Sequence, residues 1–162
     1  MAARVAIYPG SFDPPTLGHL DLIARGSRIF PQLIVAVLRN AGKQALFSAA
    51  DRVGMLRQAT SGLAGVEICE FDGLLVDFAE RRGAEAILRG IRAISDYEYE
   101  FQMAWMNRRM APALETVFMM PGEDFAYLSS RLVKEVAAGG RSVVGMVPPA
   151  IEAHLRKKLG LE

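Results

Sequence analysis

The sequence predicts an α/β chain built as a doubly wound, five-stranded parallel sheet with helices on both faces. Three observations predict it. Short β-branched runs alternate with amphipathic stretches at helical spacing, the order expected of a parallel sheet covered by helices. With 162 residues, 51% of them apolar and 23% charged, the chain is long and apolar enough to bury one substantial core and too short for two ordinary domains, so residues 1–162 read as a single domain. The polar, turn-rich segments all follow strands, which gathers them at one edge of the sheet.

The first strand is read at 4–8. The turn-forming Pro14-Pro15-Thr16-Leu17-Gly18 comes next, and Leu20, Ile23, Ala24 and Ser27 then fall at helical spacing, so a helix begins near Gly18-His19. A second strand covers 33–38. Ser48 with Asp51 three residues on forms a capping box and starts a helix over 49–59. Strands at 66–71, 86–88 and 116–120 follow, with a helix at 75–82 between the third and fourth. Asp96 is the predicted N-cap of a long helix from Tyr97 that Pro112 ends, and Pro148 opens a last helix that Gly160 closes. Such an arrangement is Rossmann-like, and it contains no repeat, linker or low-complexity segment.

Charge and hydropathy narrow the function classes. Nineteen basic against eighteen acidic residues leave a formal charge of +1, so there is no broad positive field for duplex nucleic acid. Any anion must be gripped locally. The longest apolar runs, such as 33–38, are far short of the roughly 18 residues of a membrane span, and the N-terminal residues carry no secretory pattern, so a cytoplasmic protein is expected. Cys69, the single cysteine, lies in the apolar-alternating segment 66–71 and reads as a buried small hydrophobe.

Four segments meet at the carboxyl edge: 10–19, 39–43, 89–92 and 125–130. In the first, Gly10 allows a tight turn off the strand, Gly18 lets a phosphate approach the helix start, and the first-turn amides add donors and partial positive charge. His19 adds a side-chain donor. The whole run Tyr8-Pro9-Gly10-Ser11-Phe12-Asp13-Pro14-Pro15-Thr16-Leu17-Gly18-His19 resembles the phosphate-binding turn of the nucleotidyltransferase superfamily. Arg89-Gly90-Ile91-Arg92 sets two forked donors around a glycine, suited to phosphate oxygens; a solvated turn with a surface ion pair is the other reading.

The continuation from Asp96 to Arg108, Asp-Tyr-Glu-Tyr-Glu-Phe-Gln-Met-Ala-Trp-Met-Asn-Arg, together with the hydroxyl-rich helix start Leu128-Ser129-Ser130-Arg131, resembles the phosphopantetheine adenylyltransferase family, and the resemblance runs from Tyr8 to about Pro148. It implies transfer of the adenylyl group of ATP to 4′-phosphopantetheine in coenzyme A synthesis. It implies catalytic roles for His19 as transition-state stabiliser and for Lys43 and Arg92 as cations. ATP is expected at Ser11, the Phe12 backbone, His19, Gly90, Ile91, Arg92, Glu100 and the run Phe125, Ala126, Tyr127, Leu128, Ser129, Ser130 and Arg131. The acceptor is expected at Ser11, Lys43, Leu75 and Arg89. Relatives often carry a third serine where this chain has Arg131, and a tryptophan-serine pair near Phe125-Ala126. Lys43 taken alone also reads as a solvated loop lysine, and Asp13 has no assigned role.

The same resemblance implies Mg²⁺ bound mainly through ATP phosphates, with no protein metal site, a homohexamer, and feedback by coenzyme A. Met103, Trp105, Met106 and Met110 lie on the fourth helix as core or subunit contact. His154 and the basic pairs Arg81-Arg82 and Arg156-Lys157-Lys158 read as surface. The rival readings are a nicotinate mononucleotide adenylyltransferase, whose members usually carry a second histidine where this chain has Thr16, a non-catalytic nucleotide-binding regulator, and an RNA-binding fragment related to class I synthetases.

Overall fold

The computed structural model describes residues 4–39 and 44–161. Five strands, β1 (Val5–Gly10), β2 (Gln32–Leu38), β3 (Val66–Phe71), β4 (Ala86–Gly90) and β5 (Glu115–Met119), form a single parallel sheet in the order β3-β2-β1-β4-β5. The chain therefore starts in the middle, winds to one edge, and returns to the other side of β1. β1 pairs with β2 along its whole length, from Val5↔Gln32 to Gly10↔Val37, but with β4 only at Ala6↔Ala86 and Ile7↔Ile87. Pro9, without an N–H, cannot donate to a ladder beyond that point. A crevice opens there, at the reversal of winding.

The helices are α1 (Leu17–Ile29), α2 (Ala49–Ala59), α3 (Leu75–Arg81), α4 (Ile94–Met110), α5 (Ser130–Ala138) and α6 (Pro149–Leu159). The pleat sends alternate strand residues to opposite faces. Ala6, Tyr8, Leu33, Val35 and Val37 pack with Leu22 and Ile23 of α1 and Val53 and Leu56 of α2. Ile7, Ile34, Ala36 and Ile87 pack on the other face with Val76, Phe78 and Ala79 of α3 and with Ala111 and Leu114. Each such aliphatic side chain, fully buried, stabilises the fold by about 1.5–3 kcal/mol. A third cluster joins α5 and α6 to α2 through Val133, Ile151, Leu155, Phe47 and Met55.

The doubly wound prediction holds, with differences at the element ends. α2 begins and ends where expected: the Ser48 hydroxyl accepts from the Asp51 amide at 3.1 Å, and the Asp51 carboxylate accepts from the Ser48 amide at 3.2 Å. Gly160, at φ 65°, closes α6. β1 and β4 run two residues further than the apolar pattern suggested, to Gly10 and Gly90. α4 starts three residues early, after Ala93, so Asp96 is not its N-cap. Its carboxylate instead accepts from the Arg92 amide at 3.2 Å and from the Arg92 guanidinium at 3.1 Å. Cys69 is only half-buried; burial pushes its thiol up.

α4 buries little besides Glu100 and Asn107 and leaves Met103, Trp105, Met106 and Met110 exposed, with Tyr97 and Phe101 beside them, which removes the core reading for those four. Among the described residues no helix is long and apolar enough to cross a membrane.

Candidate active site

Residues after β1 turn back on themselves. Phe12 adopts the left-handed backbone conformation at φ 49°, and its buried ring meets those of Tyr8 and His19 edge-on at centroid distances of 5.4 and 5.0 Å. A Cβ on Gly10 would lie 2.9 Å from the Phe12 ring, so the ring folds back only over glycine. Burial against the core holds a conformation that costs a non-glycine residue about 1–2 kcal/mol.

Thr16 is the N-cap of α1, and His19 is its reciprocal partner. The Thr16 hydroxyl accepts from the His19 amide at 3.3 Å, while the Thr16 amide donates to His19 Nδ1 at 3.0 Å. With Nδ1 accepting, a neutral imidazole carries its proton on Nε2. Burial, reinforced by the nearby Arg92 charge, lowers the His19 pKa from 6.5 to about 4, so the neutral donor form prevails at physiological pH. Unfolded, the same imidazole takes up its proton as pH falls through 6.5; folded, it does so only near 4. This group's contribution to stability is therefore complete above pH 6.5 and is lost as pH falls towards 4. Urea titrations across that window are expected to show a shallower decline for His19→Gln than for the parent; parallel slopes reject the assignment.

The first-turn amides are less free than the sequence suggested. Leu17 donates to the Met146 carbonyl at 2.8 Å and His19 to Thr16, leaving the Gly18 amide uncommitted among the described residues. α5 makes the second such terminus. Ser129 caps it by accepting from Leu132 at 3.0 Å, and Ser130 donates its hydroxyl to the Pro14 carbonyl at 2.7 Å, which ties the two turns together.

β4 delivers two guanidinium groups. Arg89 forms a fork on Glu100, with Nε 2.6 Å from Oε2, and its Nη1 donates to the Pro9 carbonyl at 3.1 Å, bridging the gap where β1 and β4 part. Burial works against the Arg89 charge, and the Glu100 carboxylate outweighs it, holding the pKa raised. Arg92 is held by Asp96 and by the Leu128 carbonyl at 2.6 Å.

These groups wall two adjoining cavities. One, of about 320 Å³, is lined by Phe12, His19, Gly90, Arg92, Phe125 and Ser129. The other, of about 450 Å³, is lined by Leu75, Tyr99, Met103, Arg52, Arg131 and Lys134. Ser11, Arg89, Glu100 and Ser130 border both. His19 and Arg92 share the smaller cavity. Ile91, Ala126, Tyr127 and Leu128 line neither; Leu128 is core and acts through its carbonyl. Arg131 faces the larger cavity and pairs with Glu135. Lys43 lies outside the described residues.

Comparison with known proteins decides between the nucleotidyltransferase branches. A family model described as cytidylyltransferase-like matches residues 7–136. A phosphopantetheine adenylyltransferase of Desulfosudis oleivorans is 52% identical over 157 residues, 97% of this chain and 94% of the relative. That of Heliobacterium modesticaldum is 52% identical over 156 residues, 96% of this chain and 93% of the relative. The chain belongs to the phosphopantetheine adenylyltransferase family. Two solved structures share its fold at 16% identity: a putative nicotinate-nucleotide adenylyltransferase from Vibrio parahaemolyticus (TM-score 0.72, 99% of this chain and 96% of that one) and a lipopolysaccharide core biosynthesis protein from Thermoplasma volcanium (TM-score 0.58, 75% and 100%).

The structure also gives Asp13 a role and brings to the site two residues, Arg52 and Lys134, that the sequence does not single out. Asp13, buried, accepts from the Leu46 and Phe47 amides at 2.9 Å each and from Lys134 Nζ at 2.9 Å. Burial alone would raise its pKa; Lys134 and the two amides reverse that and hold the carboxylate below its ordinary range. Asp13 therefore fastens the start of α2 and the middle of α5 to the β1 turn. Lys134 and Arg52 lie on α5 and α2, where neither spacing nor composition sets them apart from solvated cations.

Proposed function

We propose that the chain transfers the adenylyl group of ATP to 4′-phosphopantetheine, forming dephospho-coenzyme A and pyrophosphate in coenzyme A synthesis. The observation that carries this reading is the pair of cavities meeting at Ser11 and the Arg89–Glu100 fork, in a chain half identical to phosphopantetheine adenylyltransferases along nearly its whole length.

The larger cavity is lined by four cations (Arg52, Arg89, Arg131, Lys134) and also by Leu75, Tyr99 and Met103. That chemistry suits an acceptor with a phosphate head and a long, weakly polar arm. The smaller cavity, with His19, Arg92 and the start of α5, suits a triphosphate. An acceptor phosphate oxygen attacks the α-phosphorus of ATP in line, a new P–O bond forms, the α–β bridge breaks, and pyrophosphate leaves. The phosphate is already nucleophilic, so no covalent enzyme intermediate is needed. Alignment and neutralisation of growing charge supply the rate gain. The Nε2–H of His19 stabilises the charge on the α-phosphoryl oxygens, Arg92 holds phosphate oxygens beside it, and Lys43 adds a further cation.

ATP would carry Mg²⁺ mainly on its own phosphate oxygens and water, and the metal would supply charge neutralisation there. The polar side chains that line the two cavities are chiefly cations and hydroxyls, and the two carboxylates among them, Asp13 and Glu100, are paired with Lys134 and Arg89. Cytoplasmic action, homohexameric assembly and feedback by coenzyme A belong to the same proposal. The stripe Tyr97, Phe101, Trp105 and Met106 is apolar surface available for assembly, measurable by sedimentation. Coenzyme A carries the acceptor's arm and would compete for the larger cavity.

Pyrophosphate release from ATP and Mg²⁺ is expected with 4′-phosphopantetheine and to be absent with nicotinate mononucleotide. The reverse preference would replace the acceptor. ATP binding with no pyrophosphate from either would reassign the chain as a regulator.

A further inference from the structure

Arg52 is only 4% exposed, and four backbone carbonyls hold its guanidinium. Nη1 donates to Ser11 at 2.6 Å and Leu38 at 3.2 Å; Nε donates to Phe47 at 3.2 Å and Ser48 at 3.3 Å. Carbonyl dipoles orient the group without cancelling its charge. Its neighbours in the same cavity are compensated, Arg89 by Glu100 and Lys134 by Asp13, whereas among the described residues no carboxylate lies within ion-pair distance of Arg52. Its Nη2 has no acceptor there either. Arg52 lines the larger cavity beside Ser11, so a ligand there lies within reach of that nitrogen. A buried, uncompensated charge costs several kcal/mol, and a ligand anion relieves that cost.

We propose that Arg52 is a phosphate-binding residue of the acceptor cavity, its Nη2 donating to the terminal phosphate of the acceptor while its Nη1 fixes the Ser11 carbonyl. The two sides of one planar guanidinium then set that phosphate in register with the turn after β1. This rests on the acceptor reading above.

Calorimetric titration of the parent, Arg52→Gln and Arg52→Lys with 4′-phosphopantetheine and with pantetheine, which has no phosphate, tests it without recourse to turnover. The parent should favour the phosphorylated ligand. Arg52→Gln should lose about tenfold or more of its affinity for that ligand, the worth of a charge-assisted hydrogen bond, and keep its affinity for pantetheine. Arg52→Lys keeps the charge without the fork, so it should show a smaller loss with the same selectivity; it carries the test if the glutamine variant does not fold. Equal losses for both ligands, or none, in a folded variant would assign Arg52 to structure alone. A parent that binds neither ligand overturns the acceptor reading, and the role of Arg52 with it.

Discussion

Replacing His19 by alanine is expected to lower turnover about a hundredfold or more, comparable with loss of a transition-state donor, while the Kd for ATP moves only a few-fold. The split follows from geometry. Arg92, Ser129 and the amides at the start of α5 still receive the triphosphate, and what disappears is the neutral Nε2–H whose value rises as charge develops. The same side chain completes the Thr16 cap, so a stability loss of about 1 kcal/mol should accompany the change. Steady-state kinetics alongside nucleotide titration separate the effects: equal losses of ATP affinity and rate would contradict the role assigned to His19.

The largest stability effect is expected at Glu100. Its carboxylate, 11% exposed, is the counter-charge of Arg89, 27% exposed, and truncation to alanine strands that guanidinium between the two cavities. Breaking a buried pair from one side costs about 3–5 kcal/mol; the partial exposure of Arg89 places this case near the lower end. Glu100→Gln keeps one acceptor oxygen and should lose about half as much. Urea denaturation of the three proteins gives the comparison, and a loss below 1 kcal/mol for the alanine variant, matching glutamine, would mean that water replaces the fork.

Local signals made much of the fold legible. α2 was bounded correctly because Ser48 and Asp51 satisfy each other's amides whatever surrounds them. β1 and β4 were cut short because Pro9-Gly10 and Arg89-Gly90 break the apolar pattern; their pairing comes from β2 and β5, which local reading cannot weigh. Asp96 reads as a cap in the sequence because only Arg92, in its folded position, reveals the competing use of that carboxylate.

The site divides the same way. His19, Arg89, Gly90, Arg92, Ser129 and Ser130 stand where strands or loops run into helices, so spacing and chemistry point to them, while Ser11 is implied only by the family resemblance. Asp13, Arg52 and Lys134 reach partners 33 to 121 positions away in sequence, and Arg52 and Lys134 sit on helices where a cation needs no partner. Their meaning appears only once the β1 turn, α2 and α5 are brought together.

The central place of β1 governs how the molecule is made. During synthesis, residues 5–71 can form a three-stranded platform, yet one flank of β1 stays unpaired until Ala86 and Ile87 emerge from the ribosome. An uncovered strand edge invites association with other nascent chains. Pro9 and Gly10 shorten the stretch at risk, and the docking of β4 both seals the seam and brings the guanidinium groups to the imidazole, so the cavity walled by His19 and Arg92 takes shape in the step that ends the exposure.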